Sequence, residues 1–394
     1  MRTLVRRAFD AALAAVDAER ATRVHLTARP IAGPVHVLAL GKAASAMTVG
    51  ASDACDVVRG LIIAPTGARG VPGLDVLTGS HPVPDAGVAL RGESLLERAA
   101  MIPATATALV LLSGGGSALA DAPIAGVTAD DLADITRRLL ASGATIEELN
   151  AIRVALSRSK GGGLARALRT RNVRVLVVND IAPDGDPALV SSGPMSAWRG
   201  PRPADVIARA HVRAVLTRGE RERIARWSAG PSEEADLEVV ADNADAVRAA
   251  RGALIAAGRD VGVGPALRGE ARDCARAWVS ATTTTAHDAL VSGGETVVTV
   301  RGDGRGGRSQ ELALAALVFG IGGTFLAAGT DGIDGMASAA GAVIDDALRV
   351  RVDPAAALRA LDRNDAGTYL ESLDALVVTG PTGTNVADLA IWTR

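Results

Sequence analysis

With 394 residues, 48% of them apolar, and a formal net charge of −2, the chain is long enough for two domains with sizeable cores. It lacks the charge surplus that would recruit nucleic acid or an anionic membrane. Its aromatic residues (four Trp, one Tyr and three Phe) are too few for a base-stacking platform. Any adenine would have to be held by aliphatic side chains and backbone. Cys55 and Cys274 have no paired spacing, so neither a disulfide framework nor a zinc motif is expected. Residues 1–20 read as an amphipathic helix and not as a signal peptide. No apolar run approaches the roughly 18 residues needed to span a bilayer, and the expected location is the cytoplasm.

Residues 34–40, PVHVLAL, read as a buried parallel strand. Gly41-Lys42 and a helix of small residues follow, so Lys42 stands where a strand ends and a helix begins. In an open α/β sheet that is the ligand edge. The lysines carry weight because the 42 basic residues include only Lys42 and Lys160; the rest are arginine. A lysine is a compact point charge with a tunable pKa, unlike the planar guanidinium. Residues 60–65 form a second strand, and Val76-Leu77 lead into Gly79-Ser80-His81-Pro82-Val83-Pro84-Asp85. Two prolines make that stretch an extended loop, in which His81 either touches a substrate or braces the loop. Residues 107–112, TALVLL, are a third strand. Ser113-Gly114-Gly115-Gly116-Ser117 follow at once, a plausible phosphate nest that matches neither the P-loop nor the dinucleotide fingerprint.

Helices are predicted over 132–141 and 146–157. The Lys160-Gly161-Gly162-Gly163 stretch interrupts them, and a strand over 173–178 delivers Asn179, Asp180, Asp184 and Asp186. Carboxylates at a strand's C-terminal edge suit Mg²⁺. Residues 197–236 are charged and poorly patterned, and the domain boundary is placed at 235/236. Beyond it, Ser292-Gly293-Gly294-Glu295 read as a small-residue turn and 296–300 as a strand. The charged glycine loop 302–307 comes next, and Arg308 opens a helix. That order is either an anion site with Arg308 as its fixed cation or a loop whose glycines serve only the turn. Residues 324–328 form a strand ending in Gly329-Thr330-Asp331-Gly332-Ile333-Asp334-Gly335. After a last strand, Thr379-Gly380-Pro381-Thr382-Gly383-Thr384-Asn385 offer small polar groups suited to sugar-acid or phosphate oxygens. The alternation predicts α/β architecture with parallel sheet in both halves.

Two lone lysines, Arg308, two glycine nests and several Asp-bearing strand ends suit phosphoryl transfer, which needs positioning and charge more than covalent chemistry. The series GKAASAM, GSHPVPD, LLSGGGSAL, LSRSKGGGLA, VVNDIAPDGDP, SSGP, SGGETVVTV, GGRSQELALA, GTDGIDG and TGPTGTNVADL resembles the glycerate 2-kinase family with its C-terminal MOFRL domain. The resemblance implies a Rossmann-like, parallel-sheet N-terminal domain (residues 1–235) and a smaller α/β MOFRL-type domain (236–394), with the active site in the cleft between them. It also implies ATP, Mg²⁺ and transfer to the 2-hydroxyl of D-glycerate or a related short hydroxy acid. The family's essential lysine and arginine fall on Lys42 and Arg308. Ser113, Gly114, Gly115, Gly116, Ser117, Lys160 and Asn179 are taken as nucleotide ligands. His81, Glu295 and Asn385 are taken as substrate ligands, and Asp180, Asp186 and Asp331 as metal ligands. Members usually carry Pro-Thr-Asp where Met336-Ala337-Ser338 stand here, which alters an acceptor or metal contact, and a threonine where Met195 follows SSGP. Small molecules are the expected partners, with no nucleic acid and no membrane, and the protein is expected to be a monomer or homodimer. A hydroxypyruvate reductase and a non-catalytic sugar-acid-binding homologue are the alternatives.

Overall fold

The structure, a computed structural model, describes residues 1–81, 83–181, 185–228, 230, 235–335 and 338–394. Pro82, Asp184, Met336 and Ala337, named above, lie outside them. The chain folds into two compact units. One comprises Ala18–Asn179 and Gly185–Val240, the other Met1–Asp17, Asp180–Asp184 and Ala241–Arg394. The chain thus passes finally into the second unit at 240/241, a few residues beyond the expected boundary, while its first 17 residues belong with the C-terminal part. The helix Arg2–Ala15 explains this. Val5, Ala8, Phe9 and Ala12 form a buried stripe at helical spacing. Arg2 pairs with Asp345 at 2.7 Å, and Arg6 donates to the Val378 carbonyl.

The first unit carries a six-stranded sheet of β1 (Val35–Leu40), β2 (Val57–Pro65), β3 (Asp75–Gly79), β4 (Thr107–Leu112), β5 (Val173–Val178) and β6 (Leu237–Ala241), in the order β3-β2-β1-β4-β5-β6. The registers of β1 with β2 and β4, β2 with β3, and β4 with β5 are all parallel. Buried runs such as ALVLL in β4 are what a sheet covered on both faces requires. The order reverses between β1 and β4, which makes their C-terminal ends the ligand edge. A helical layer lies beside the sheet. Its helices Ala129–Ala141 and Ile146–Ala155 open with capping boxes at Thr128/Asp131 and Thr145/Glu148. They bury Leu139, Leu149 and Ile152 with Val206, Val212 and Ile224.

The second unit is built on β7 (Val261–Val263), β8 (Leu267–Glu270), β9 (Ala289–Val297), β10 (Thr324–Gly329), β11 (Gly341–Ile344), β12 (Leu376–Val377) and β13 (Asp388–Thr393), ordered β12-β11-β10-β13-β9-β7 with β8 also on β9. The expectation of parallel sheet here is wrong. β10 with β11, β10 with β13, β11 with β12 and β13 with β9 are antiparallel, and only β7 and β8 run parallel to β9. The stretch between Gly329 and Gly341 is too short for a helical crossover, so the chain folds back on itself. A second correction concerns residues 292–295. They lie inside β9, and the strand ends at Val297. A Cβ at Gly293 would strike the Asn243 amide, and one at Gly294 (φ +139°) the Leu267 carbonyl. The glycines there admit close neighbours within a sheet and do not make a turn. The core gathers Trp278 and Phe325, their rings 5.1 Å apart and tilted by 53°, around the buried helix Arg308–Val318. No helix among the described residues is long and apolar enough to cross a membrane.

Candidate active site

In the first unit the ends of β1 and β4 are stitched together. The Lys42 amide donates to the Gly114 carbonyl at 2.8 Å, and the Ser113 amide to the Leu40 carbonyl at 3.0 Å. Ser113 Oγ accepts from the Ala43 amide at 2.9 Å. Gly115 has φ +82°, and a Cβ there would lie 2.9 Å from the His81 ring and 3.1 Å from Cγ of Lys42. The glycine loop, Lys42 and His81 are therefore neighbours at the point where the strand order reverses. The Gly116 amide donates to Ser191 Oγ, but those of Gly114, Gly115 and Ser117 have no hydrogen-bond partner among the described residues. Unmade backbone donors in such a loop are an anion cradle. Asp85 braces this loop, accepting from the amides of Ser80 and Gly87 and from Arg91.

The sequence reading overlooked the support behind this loop. Ser191 Oγ also donates to the Ser113 carbonyl at 2.7 Å, and Ser117 Oγ meets Ser192 Oγ at 2.8 Å. Ser191 and Ser192 both lie at positive φ, 54° and 62°, a conformation costing on the order of 1–3 kcal/mol per residue. Their appearance in a Ser-Ser-Gly-Pro string was the available signal.

In the second unit Arg308 opens its helix as expected, and part of the loop before it is tied to its own chain. The Gly304 amide donates to the Arg363 carbonyl at 2.9 Å and the Arg305 amide to Asp365 at 2.8 Å. The Arg301 and Gly302 amides both reach Asn364. Added Cβ atoms at Gly302, Gly304 and Gly306 would collide with Arg363, Asp365 and Gly367. The helix start is occupied too, since Asp334 accepts from the amides of Ser309 (3.1 Å) and Gln310 (2.7 Å). Gly302 and Gly304 thus serve packing within the chain, while the amides of Gly306 and Gly307, next to Arg308, have no hydrogen-bond partner among the described residues.

Arg308 is nonetheless a fixed cation. Its Nε and Nη2 donate to Asp388 at 2.6 and 2.9 Å, and Nη1 lies 2.6 Å from Glu295. Asp388 is 2% exposed and was missed by sequence reading, although it stands three residues past Asn385. Burial pushes the Arg308 pKa down, but the charge and hydrogen bonds of Asp388 outweigh it, so the guanidinium stays charged. Burial, reinforced by the charge of Asp388, raises Asp334 to about 7 against the pull of the two amides and Arg308.

The remaining predicted residues divide. Lys160 is 3% exposed and its ammonium is bound to Asp121, so it is turned to a buried carboxylate. The Asn179 amide donates to the Gly185 carbonyl. Asp186 caps the turn Pro187–Ser192 and pairs with Arg199. Asn385 donates to Asp180 at 3.4 Å, and Asp331 accepts from the Ile333 amide. Thr382 and Thr384 spend their hydroxyls on the carbonyls of Thr330 and Val16, and Asn385 Oδ1 accepts from the Ala387 amide at 3.2 Å. Among the described residues no three His, Cys, Asp or Glu side chains are grouped to hold a metal. Carboxylate oxygens, one or two of them completed by substrate phosphates and water, are the ligands Mg²⁺ takes. The free amides of the nest suit a nucleotide's phosphate oxygens.

Comparison with known proteins adds the following. A family profile described as "Domain of unknown function (DUF4147)" matches residues 4–219, and the MOFRL family profile matches 288–388. An Agrobacterium vitis protein provisionally named a hydroxypyruvate reductase is 36% identical, over 98% of this chain and 93% of its own. The D-glycerate 2-kinase of Thermotoga maritima is 33% identical, over 91% of this chain and 90% of its own. The crystal structure of glycerate kinase from the same organism superposes with a TM-score of 0.85 at 30% identity, covering 100% of this chain and 99% of that one.

Proposed function

This chain belongs to the glycerate 2-kinase family, and we propose that it transfers the γ-phosphoryl group of ATP to the 2-hydroxyl of D-glycerate, giving 2-phosphoglycerate. The observation that carries the reading is the set of three amides at Gly114, Gly115 and Ser117 without a partner among the described residues, beside Lys42 at the reversal of the sheet. ATP with Mg²⁺ supplies the phosphoryl group and a divalent charge to screen it. The nest amides hold phosphate oxygens, and Lys42 offsets charge on the group in transfer. Arg308, immobilised by Asp388 and Glu295, keeps two of its five N–H groups for the acceptor's carboxylate or the phosphoryl oxygens. A guanidinium that cannot swing is pre-organised, which is where most of the rate gain in such sites arises. His81 and Asn385 contact the acceptor, and Asp180 and Asp331 hold the metal.

The test is ADP release across short hydroxy acids, D-glycerate first, beside NADH oxidation with hydroxypyruvate. ADP release with D-glycerate is expected. The second reading, favoured by the name of the Agrobacterium relative, is a reductase, which needs a dinucleotide fingerprint after β1. There the chain reads Gly41-Lys42-Ala43-Ala44-Ser45, with a single glycine. NADH consumption without ADP release would overturn the kinase.

A further inference from the structure

One cation of the first unit is not accounted for. Arg153, half-buried on the helix Ile146–Ala155, makes no hydrogen bond with any described residue. The comparably sheltered Arg91, Arg138, Arg174 and Arg272 each reach at least two acceptors. The electrostatic neighbour of Arg153 is Asp121, which is already engaged. One of its oxygens takes the Lys160 ammonium, and the other, Oδ1, is buried without a partner among the described residues. Two cations thus share one buried carboxylate. Burial lowers the pKa of Arg153 and of Lys160, with Asp121 only partly opposing it. A guanidinium does not give up its proton, so Arg153 stays charged, and sheltered charge without sufficient counter-charge is costly. The location is informative. Asn150, one turn earlier on the same helix face, accepts from Ser192 Oγ, and Ser192 contacts Ser117 of the nest.

We propose that Arg153 is an anion-binding residue of the transfer site. Its guanidinium takes the oxygens of a ligand group held beside the Ser113–Ser117 nest, either a nucleotide phosphate or the acceptor's carboxylate. The identity of the ligands rests on the kinase reading; the binding of an anion does not.

The test titrates full-length parent, R153Q and R153K with ADP, D-glycerate and inorganic phosphate, each alone, by calorimetry, with a thermal melt of each protein. R153Q is expected to weaken ADP or D-glycerate by about tenfold or more, and R153K, which keeps the charge but loses the planar fork, by less. A loss confined to ADP assigns the phosphate, and one confined to D-glycerate the carboxylate. Affinities within twofold of the parent, with only the melting midpoint lowered, would mean that Arg153 merely balances Asp121, and the proposal would fall. If R153Q does not fold, R153K decides by the same readout. If the parent does not bind D-glycerate, the kinase reading fails by itself. Inorganic phosphate then decides, with weakened binding in the variant supporting the proposal and unchanged binding sinking it.

Discussion

Loops 113–117 and 302–307 look alike on paper, since each is a glycine run placed between a strand and a helix. In the folded protein they have different neighbours. The first leaves the amides of Gly114, Gly115 and Ser117 without a partner among the described residues, and the proposal above has its glycines open the backbone to a ligand. The second ties the amides of Gly302, Gly304 and Arg305 to Asn364, Arg363 and Asp365, Asp334 fills the helix start behind it, and Arg363, Asp365 and Gly367 pack against its glycines. Its glycines open the backbone to another stretch of the same chain. Composition reports that a backbone can be approached closely. Only an account of where each N–H goes reports by what.

Two substitutions should separate the regions most sharply. Lys42→Ala is expected to cut kcat by on the order of 10³ with the melting midpoint nearly unchanged. Arg308→Ala should cost similar activity and also stability, because Asp388 is left buried without its cation. Breaking such a pair costs about 3–5 kcal/mol, and the lower end applies, since the Arg308 side chain is 32% exposed. Denaturant melts beside the ADP assay check both. An Arg308→Ala protein as stable as its parent would remove the clamp from the account.

A smaller effect distinguishes the loops themselves. Gly115→Ala forces a Cβ against Lys42 and His81 at φ +82° and should lower kcat/KM by on the order of 10²-fold, with a stability loss of only about 1–2 kcal/mol. Gly304→Ala pushes into Asp365 and Arg363 and should cost about 1–3 kcal/mol of stability while leaving the ADP affinity of the folded protein intact. The reverse pattern would exchange the roles assigned to the two loops.

Much of this was legible beforehand. The runs VHVLAL and TALVLL announced buried parallel strands, and Lys42 and the Ser113–Ser117 nest followed from where those strands end. Arg308 was legible as a helix start. Illegible were the groups that hold these in place, because Asp388, Asp334 and Ser191 act through pairings across 80, 25 and 78 residues of sequence, which no local pattern records. Lys160 misled for a related reason. Its rarity marked it as special, but the partner that buries it, Asp121, lies 39 residues away. The antiparallel second sheet was hidden because strand composition carries no direction. Only the short span from β10 to β11 did.

The mildest difference between the units is in their response to pH. In the first, Glu148 and Glu238 are sheltered, which pushes their pKa up, but hydrogen bonds outweigh it and hold each at about 2. Glu148 has His211 and Arg209; Glu238 has Arg174, His25 and Arg29. Both fall below the usual 4.5, so the stability they contribute is present above pH 4.5 and lost as pH drops toward 2. In the second, Asp334 is raised from 3.8 to about 7. Its sign is opposite, since its stabilising share is complete below pH 3.8 and drains away as pH climbs through 7. Hydrogen exchange, corrected for intrinsic rates, should show amides of the helix Ile146–Ala155 losing protection below about pH 4. Amides of the helix Arg308–Val318 should lose it between about pH 4 and 7, and Asp334→Asn should flatten that second profile. If the helix Arg308–Val318 proves best protected at pH 8, Asp334 is ionised throughout, and the two amides at its carboxylate outweigh burial after all.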